Sequence, residues 1–170
     1  MTRLIDDMLD ISRIESGKLT IKKEPFHLPE LIHEIAQRLL PQIQTSSGSE
    51  LKITRLDEAT VCWDRLRIEQ VITNYITNAI RYGQGRIIEL CVEDQKDEVL
   101  ISVKDYGSGI PKIDQTRIFN LFERGSGAKE VGGLGLGLFI SKQIIEAHQG
   151  KVWVQSEVGE GSTFFALLPK

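Results

Sequence analysis

The chain has 170 residues, 41% of them apolar and 26% charged, and a formal net charge of −3. These values fit one ordinary globular domain with a short appendage, large enough to bury a core without staples. A mildly acidic chain with no Lys/Arg run is not expected to take nucleic acid as its main partner. Cys62 and Cys91, with no CxxC pair or Cys/His cluster, read as free thiols in a reducing compartment.

No apolar run approaches the roughly 18 residues of a membrane span. Met1-Thr2-Arg3 leads into an amphipathic segment, not a signal peptide. A cytoplasmic location is expected, with a parent protein that a membrane anchor would still suit. Leu4, Met8 and Ile11, with Ile5 and Leu9 beside them, predict a helix to about Ser16 that Gly17 ends. It lacks a convincing cap and reads as the tail of a longer helix. Its stripe suits coiled-coil or bundle pairing, with packing onto the main domain as the alternative.

Alternation predicts a short strand over 19–23. Pro25 and Pro29 then punctuate, placing His27 in a loop, and 28–44 reads as a helix with Leu31, Ile32, Ile35, Leu39 and Leu40 on one face. Strands are expected over 51–55 and 61–63. Asp64 is a natural N-cap for a helix over 65–82, stopped by Gly83 and Gly85. Two strands follow, with Ile88, Leu90 and Val92 facing one way in the first and Val99, Ile101 and Val103 in the second. After them come a glycine-rich turn, a short helix near 118–122, a loose segment over 125–133 and a helix over 136–148. His148 falls at the end of that helix, where a cation is favoured. The chain closes in a hairpin, 151–156 and 162–168. Helices and strands alternate without regular βαβ spacing, which predicts an α+β two-layer sandwich.

Four segments carry chemistry. On the helix over 65–82, Asn74 and Asn78 are four apart and stack on one flank of the apolar stripe, joined there by Arg81. They form either a solvated flank or the polar rim of a cleft, where amide oxygens suit Mg²⁺. Asp105 continues the inward register of Val99, Ile101 and Val103, beside Gly107 and Gly109. It is either a turn-stabilising carboxylate or an acceptor for an exocyclic amine on a flat base. Gly132-Gly133-Leu134-Gly135-Leu136-Gly137-Leu138 opens a helix, as either a phosphate cradle or tight helix packing. Gly159-Glu160-Gly161-Ser162-Thr163-Phe164 alone is only a hairpin turn.

In this order the segments resemble the boxes of the histidine-kinase catalytic domain, part of the superfamily shared with the gyrase B subunit and MutL. Asn74-Tyr75-Ile76-Thr77-Asn78-Ala79 resembles the asparagine box, and Asp105 to Ile110 the first glycine box. Ile118 to Arg124 resembles the phenylalanine box, and Gly133 to Leu138 and Gly159 to Phe164 the second and third glycine boxes. Residues 4–18 are similar to the end of a dimerisation helix. The resemblance implies a Bergerat-type fold, a mixed sheet covered by helices, with 1–17 as the end of the dimerisation/phosphotransfer helix and 18–170 as the ATP-binding catalytic domain.

It further implies ATP and Mg²⁺ as cofactors, with Asp105 on the adenine amino group and Asn78 as the metal ligand. Arg81 and Tyr82 would lie near the phosphates; the family usually has Lys where Arg81 stands. Asn74, Arg81 and Arg124 would be catalytic. Gly107, Gly109, Ile110, Phe122, Gly133, Leu134, Gly135, Leu136, Gly137, Leu138 and Thr163 would complete the ATP pocket. Residues 125–132 would form a lid with Phe119, Phe122 and Arg124 at its base. Hydrolytic relatives carry Glu where Asn74 stands, and an amide cannot take the proton of an attacking water. The resemblance therefore implies a protein-histidine kinase, with an ATPase-type machine or a serine kinase of the same superfamily as alternatives.

Of the three histidines, His33 precedes Glu34 as in a phosphoacceptor box, but follows the dimerisation-helix tail and has Gln37 where the family usually has proline. The acceptor is expected in a dimerisation domain of the same parent, so the fragment alone should not phosphorylate itself. Expected partners are that domain and a response regulator. The parent is expected to be a homodimer, with the fragment free to be monomeric.

Overall fold

The computed structural model describes residues 2–46, 48–123 and 135–170. Its elements in chain order are α1 (Thr2–Glu15), β1 (Glu24–His27), α2 (Leu28–Ser46), β2 (Leu51–Leu56), β3 (Thr60–Trp63) and α3 (Arg65–Tyr82). There follow β4 (Ile88–Gln95), β5 (Glu98–Asp105), α4 (Lys112–Gln115), a single 3₁₀ turn (Arg117–Phe119), α5 (Gly137–Ala147), β6 (Lys151–Glu157) and β7 (Gly161–Pro169). Five strands form one sheet in the order β2-β4-β5-β7-β6. Only the β2–β4 pair is parallel. This mixed sheet under helices is the expected α+β sandwich. No helix among the described residues is long and apolar enough to cross a membrane.

Period-two alternation builds the core. Val99, Ile101 and Val103 of β5 and Phe164, Ala166 and Leu168 of β7 are buried on one face. Ile68, Val71, Ile72, Tyr75, Ile76 and Ala79 of α3 are buried with them in one cluster. Burying each large apolar side chain contributes roughly 1.5–3 kcal/mol. The other face of the sheet carries the cross-strand pair Trp153 and Phe165, stacked at 4.9 Å.

Asp64 caps α3 as expected, its Oδ1 accepting from the Arg67 N–H at 3.1 Å. Its Oδ2 accepts from the Lys22 N–H at 2.8 Å. The ring of His148 meets the same residue from the end of α5. Nε2 accepts from the Asp64 N–H at 2.9 Å and Nδ1 donates to the Ile144 carbonyl at 2.8 Å. His148 is therefore a buried neutral imidazole, not the helix-end cation its position implied. Burial pushes its pKa down.

Two local expectations are corrected. Residues 19–23 form no strand; β1 lies just after them and pairs with β3 across Pro25 and His27. A two-stranded ribbon has open outer edges, so it accepts Pro25, which has no N–H to donate. Phe26 then packs edge-on against buried Trp63. His27 sits in this strand, with Nε2 at 2.6 Å from Glu58. The short helix expected near 118–122 starts earlier, because Pro111 initiates α4 and only a 3₁₀ turn follows.

The appended helix seats one flank on the domain. Ile11 is buried, Ile14 packs against the core, and α1 runs along α5. Asp10 accepts from Arg67 Nη1 at 2.8 Å and from Gln70 Nε2 at 2.8 Å, tying α1 to α3. Ile5, Met8 and Leu9 point outward and are exposed. The stripe read from sequence thus divides between packing on the domain and an open apolar flank.

Candidate active site

Asp105 ends β5 in the inward register and is only 3% exposed. Its carboxyl accepts from the Gly107 N–H at 2.9 Å and from the backbone N–H of Ser162. Burial pushes its pKa up, and the two N–H donors pull it partly back. Two glycines let backbone close in around it. A Cβ on Gly107 would stand 1.9 Å from the Tyr82 carbonyl oxygen, and one on Gly161 would stand 2.1 Å from the Asp105 carbonyl oxygen. The end of α3, the loop after β5 and the start of β7 therefore meet at Asp105.

Asn78 lies one helical turn before Tyr82, and both are half-buried; Arg81 is exposed at the helix end. Asn74, one turn further back, is 5% exposed and turned onto α5. Its Nδ2 donates to Ser141 Oγ at 3.0 Å, and a Cβ on Gly137 would stand 2.2 Å from its Oδ1. The two asparagines share a flank, but Asn74 holds a helix contact while Asn78 is the more open. Leu136 is buried in the core, and Leu138 packs against it. At this box, tight helix packing is thus part of what the Gly/Leu alternation does. Gly135, with φ of 69°, directly precedes Leu136.

Gly109 and Ile110 lie in the loop after β5, where the backbone of Gly109 abuts the Glu157 carbonyl. Phe119 is buried edge-on against Phe164, at 6.4 Å between ring centroids. Phe122 is 60% exposed and left-handed, with φ of 60°. Arg124, Gly133, Leu134 and the lid expected over 125–132 lie outside the described residues. Thr163 does not join Asp105. It pairs with Lys104 and faces the opposite side of the sheet, while Asp105 pairs with Ser162. Ser162 is the residue that sequence reasoning missed. Phe164, Ala166 and Leu168 set the inward register of β7, and counting back by two reaches Ser162.

Among the described residues no cluster of His, Cys, Asp and Glu could cage a metal. The Asn78 amide is nevertheless a hard oxygen donor. It fits Mg²⁺, which keeps several waters and takes substrate phosphate oxygens.

Residues 63–170 match the family described as histidine kinase-, DNA gyrase B- and HSP90-like ATPase. The chain belongs to this family. Among curated relatives of this ATPase domain, the alginate biosynthesis sensor protein KinB of Pseudomonas aeruginosa is 39% identical over 98% of the chain and 28% of its own length. The signal transduction histidine-protein kinase BarA of Escherichia coli is 33% identical over 95% of the chain and 18% of its own length. The chain thus spans less than a third of these relatives' length. Among solved structures, full-length ShkA in complex with AMPPNP superposes with a TM-score of 0.86 at 26% identity, covering 98% of this chain and 35% of that one. Histidine kinase ThkA in complex with the response regulator protein TrrA superposes with a TM-score of 0.78 at 28% identity, covering 99% of this chain and 48% of that one.

Proposed function

We propose that this chain is the ATP-binding catalytic domain of a sensor histidine kinase, and that it donates the γ-phosphate of ATP to a histidine on the dimerisation domain of its parent protein. The observation that carries this reading is the Asp105 carboxyl, buried, held by two backbone N–H groups, and set where α3, the loop after β5 and the start of β7 converge. A carboxylate so placed accepts from the exocyclic amine of adenine. Asn78 holds Mg²⁺ through its amide oxygen, and the bound ion supplies charge neutralisation at the phosphates. Arg81 and Tyr82, at the same helix end, orient the phosphate chain, and the first turn of α5 offers its N–H groups to it.

Phosphoryl transfer asks mainly for positioning and charge neutralisation. Asn74 offers no base and is engaged with Ser141, which supports transfer to an external nucleophile over hydrolysis. A response regulator is the expected downstream partner, in keeping with the ThkA complex. The segment 1–17 is the end of the dimerisation helix, and its open flank of Ile5, Met8 and Leu9 fits helix pairing.

Calorimetric titration with Mg-ATP tests the pocket. Asp105→Ala removes a charge-assisted hydrogen bond worth about 1.5–3 kcal/mol, so ATP affinity is expected to fall roughly ten- to a hundredfold. Near-unchanged affinity would mean that the adenine lies elsewhere.

A further inference from the structure

The terminal hairpin and the loop after β5 are joined by one hydroxyl. Ser156 Oγ on β6 accepts from the Ile110 N–H at 2.7 Å. Its single hydrogen is donated either to the Gly161 carbonyl or to Ser162 Oγ, each at 2.8 Å. A second tie runs parallel to it. Gln115 Nε2, at the end of α4, donates to the Ile110 carbonyl at 2.9 Å and to the Ser156 carbonyl at 2.8 Å. Both backbone groups of Ile110 are thereby fastened to β6, one by each side chain.

These ties converge on Asp105 from two sides. Ser162 supplies one of the backbone N–H groups on the carboxyl, and Gly161 packs against the Asp105 carbonyl. Ile110 closes the loop that supplies the other, through Gly107. The Asp105 side chain thus takes its bearings from two backbone segments, and Ser156 bonds to both.

We propose that Ser156, seconded by Gln115, is a positioning residue for base recognition: its hydroxyl locks the loop after β5 to the start of β7 and so fixes the direction in which Asp105 presents its acceptor. The inference rests on the reading of Asp105 as the adenine acceptor. Without the hydroxyl, the half-buried Ile110 N–H loses its partner. The loop is left with the Gln115 bonds and the bond from the Gly159 N–H to the Ser108 carbonyl as its ties to the hairpin, so the carboxyl is less firmly oriented. The phosphate-binding end, built on α3 and α5, is untouched.

The test is competition binding of ATP and of inosine triphosphate, which lacks the exocyclic amine, with melting temperature recorded for each variant. Ser156→Ala is expected to weaken ATP binding about fivefold, the value of one ordinary hydrogen bond, and to weaken inosine triphosphate much less. The preference for ATP therefore shrinks. Ser156→Thr keeps the hydroxyl and restores the preference. Gln115→Ala, which leaves β6 intact, shifts the preference in the same direction by a smaller factor. A purely structural role would lower the melting temperature and leave the ratio of the two affinities unchanged, and that result overturns the proposal. So does wild-type ATP preference in both Ser156→Ala and Gln115→Ala while Asp105→Ala loses it. If wild type and Asp105→Ala show no difference between the two nucleotides, the adenine reading itself falls.

Discussion

Two buried titratable side chains face opposite demands. Asp105 is held by N–H donors that favour its charged form, while burial disfavours it. An incoming amine donor, as the proposed reading requires, would add to the donors that favour the charged form. His148 needs no ligand: one ring nitrogen accepts and the other donates, and only the neutral imidazole does both. Its folded-state pKa is lowered, mainly by burial and further by Lys23. Below the unfolded value of about 6.5 the unfolded chain takes up a proton that the folded one resists. The stability that neutral His148 contributes is complete above that pH and is lost as pH falls toward the lowered value. The unfolding free energy from urea titrations is expected to fall as pH drops below about 6.5, by at most about 1.4 kcal/mol per pH unit from this residue. In His148→Gln the fall is shallower. Parallel curves for the two proteins would show that another group governs acid unfolding.

Among the elements, α1 depends on one polar anchor. The side chain of Asp10 is 8% exposed and that of Arg67 13% exposed, and Gln70 completes the triad. Removing one member of a buried pair leaves the other charge without its partner. Asp10→Ala is expected to loosen α1 by about 1.5–3 kcal/mol, seen as faster amide exchange over residues 5–15 with β5 and β7 unchanged. Unchanged protection of α1 would show that Ile11 and Ile14 alone hold it. Such a contact is invisible in a single sequence, because Asp10 and Arg67 are far apart in the chain and no period relates them. By contrast, α3 was legible in full: its 3.6-residue stripe, the Asp64 cap and the Gly83 stop all act locally. The inward placement of Asp105 was legible from strand alternation. The strand expected over 19–23 lies instead at Glu24–His27, because Pro25 reads as a breaker unless the ribbon's open edge is known. The resemblance implies Thr163 for the pocket, while alternation from Phe164 puts Ser162, not Thr163, opposite Asp105. The clamp at Ser156 and Gln115 depends on the packing of α4 against β6, which local patterns do not encode.

At the scale of the whole molecule, the helices cover one face of the mixed sheet, and the candidate site lies where the end of α3 and the start of β7 meet the loop after β5. In the proposed reading Asp105 would address the base, Asn78 would hold Mg²⁺ at the phosphates and the α5 start would face the phosphate chain, leaving the γ-phosphate for a nucleophile from outside the domain. The chain's own histidines are poorly suited to accept it. His148 is buried, His27 is engaged with Glu58, and His33 bonds the Pro29 carbonyl from the exposed face of α2. The decisive measurement is transfer of radiolabel from γ-labelled ATP, with this chain incubated alone and with a separately purified dimerisation domain from a sensor-kinase relative. Label is expected on the histidine of the added domain, none on this chain alone, and none on either with Asn78→Ala. Stable label on this chain alone that disappears in His33→Gln, or rapid release of free phosphate without the added domain, would contradict the account.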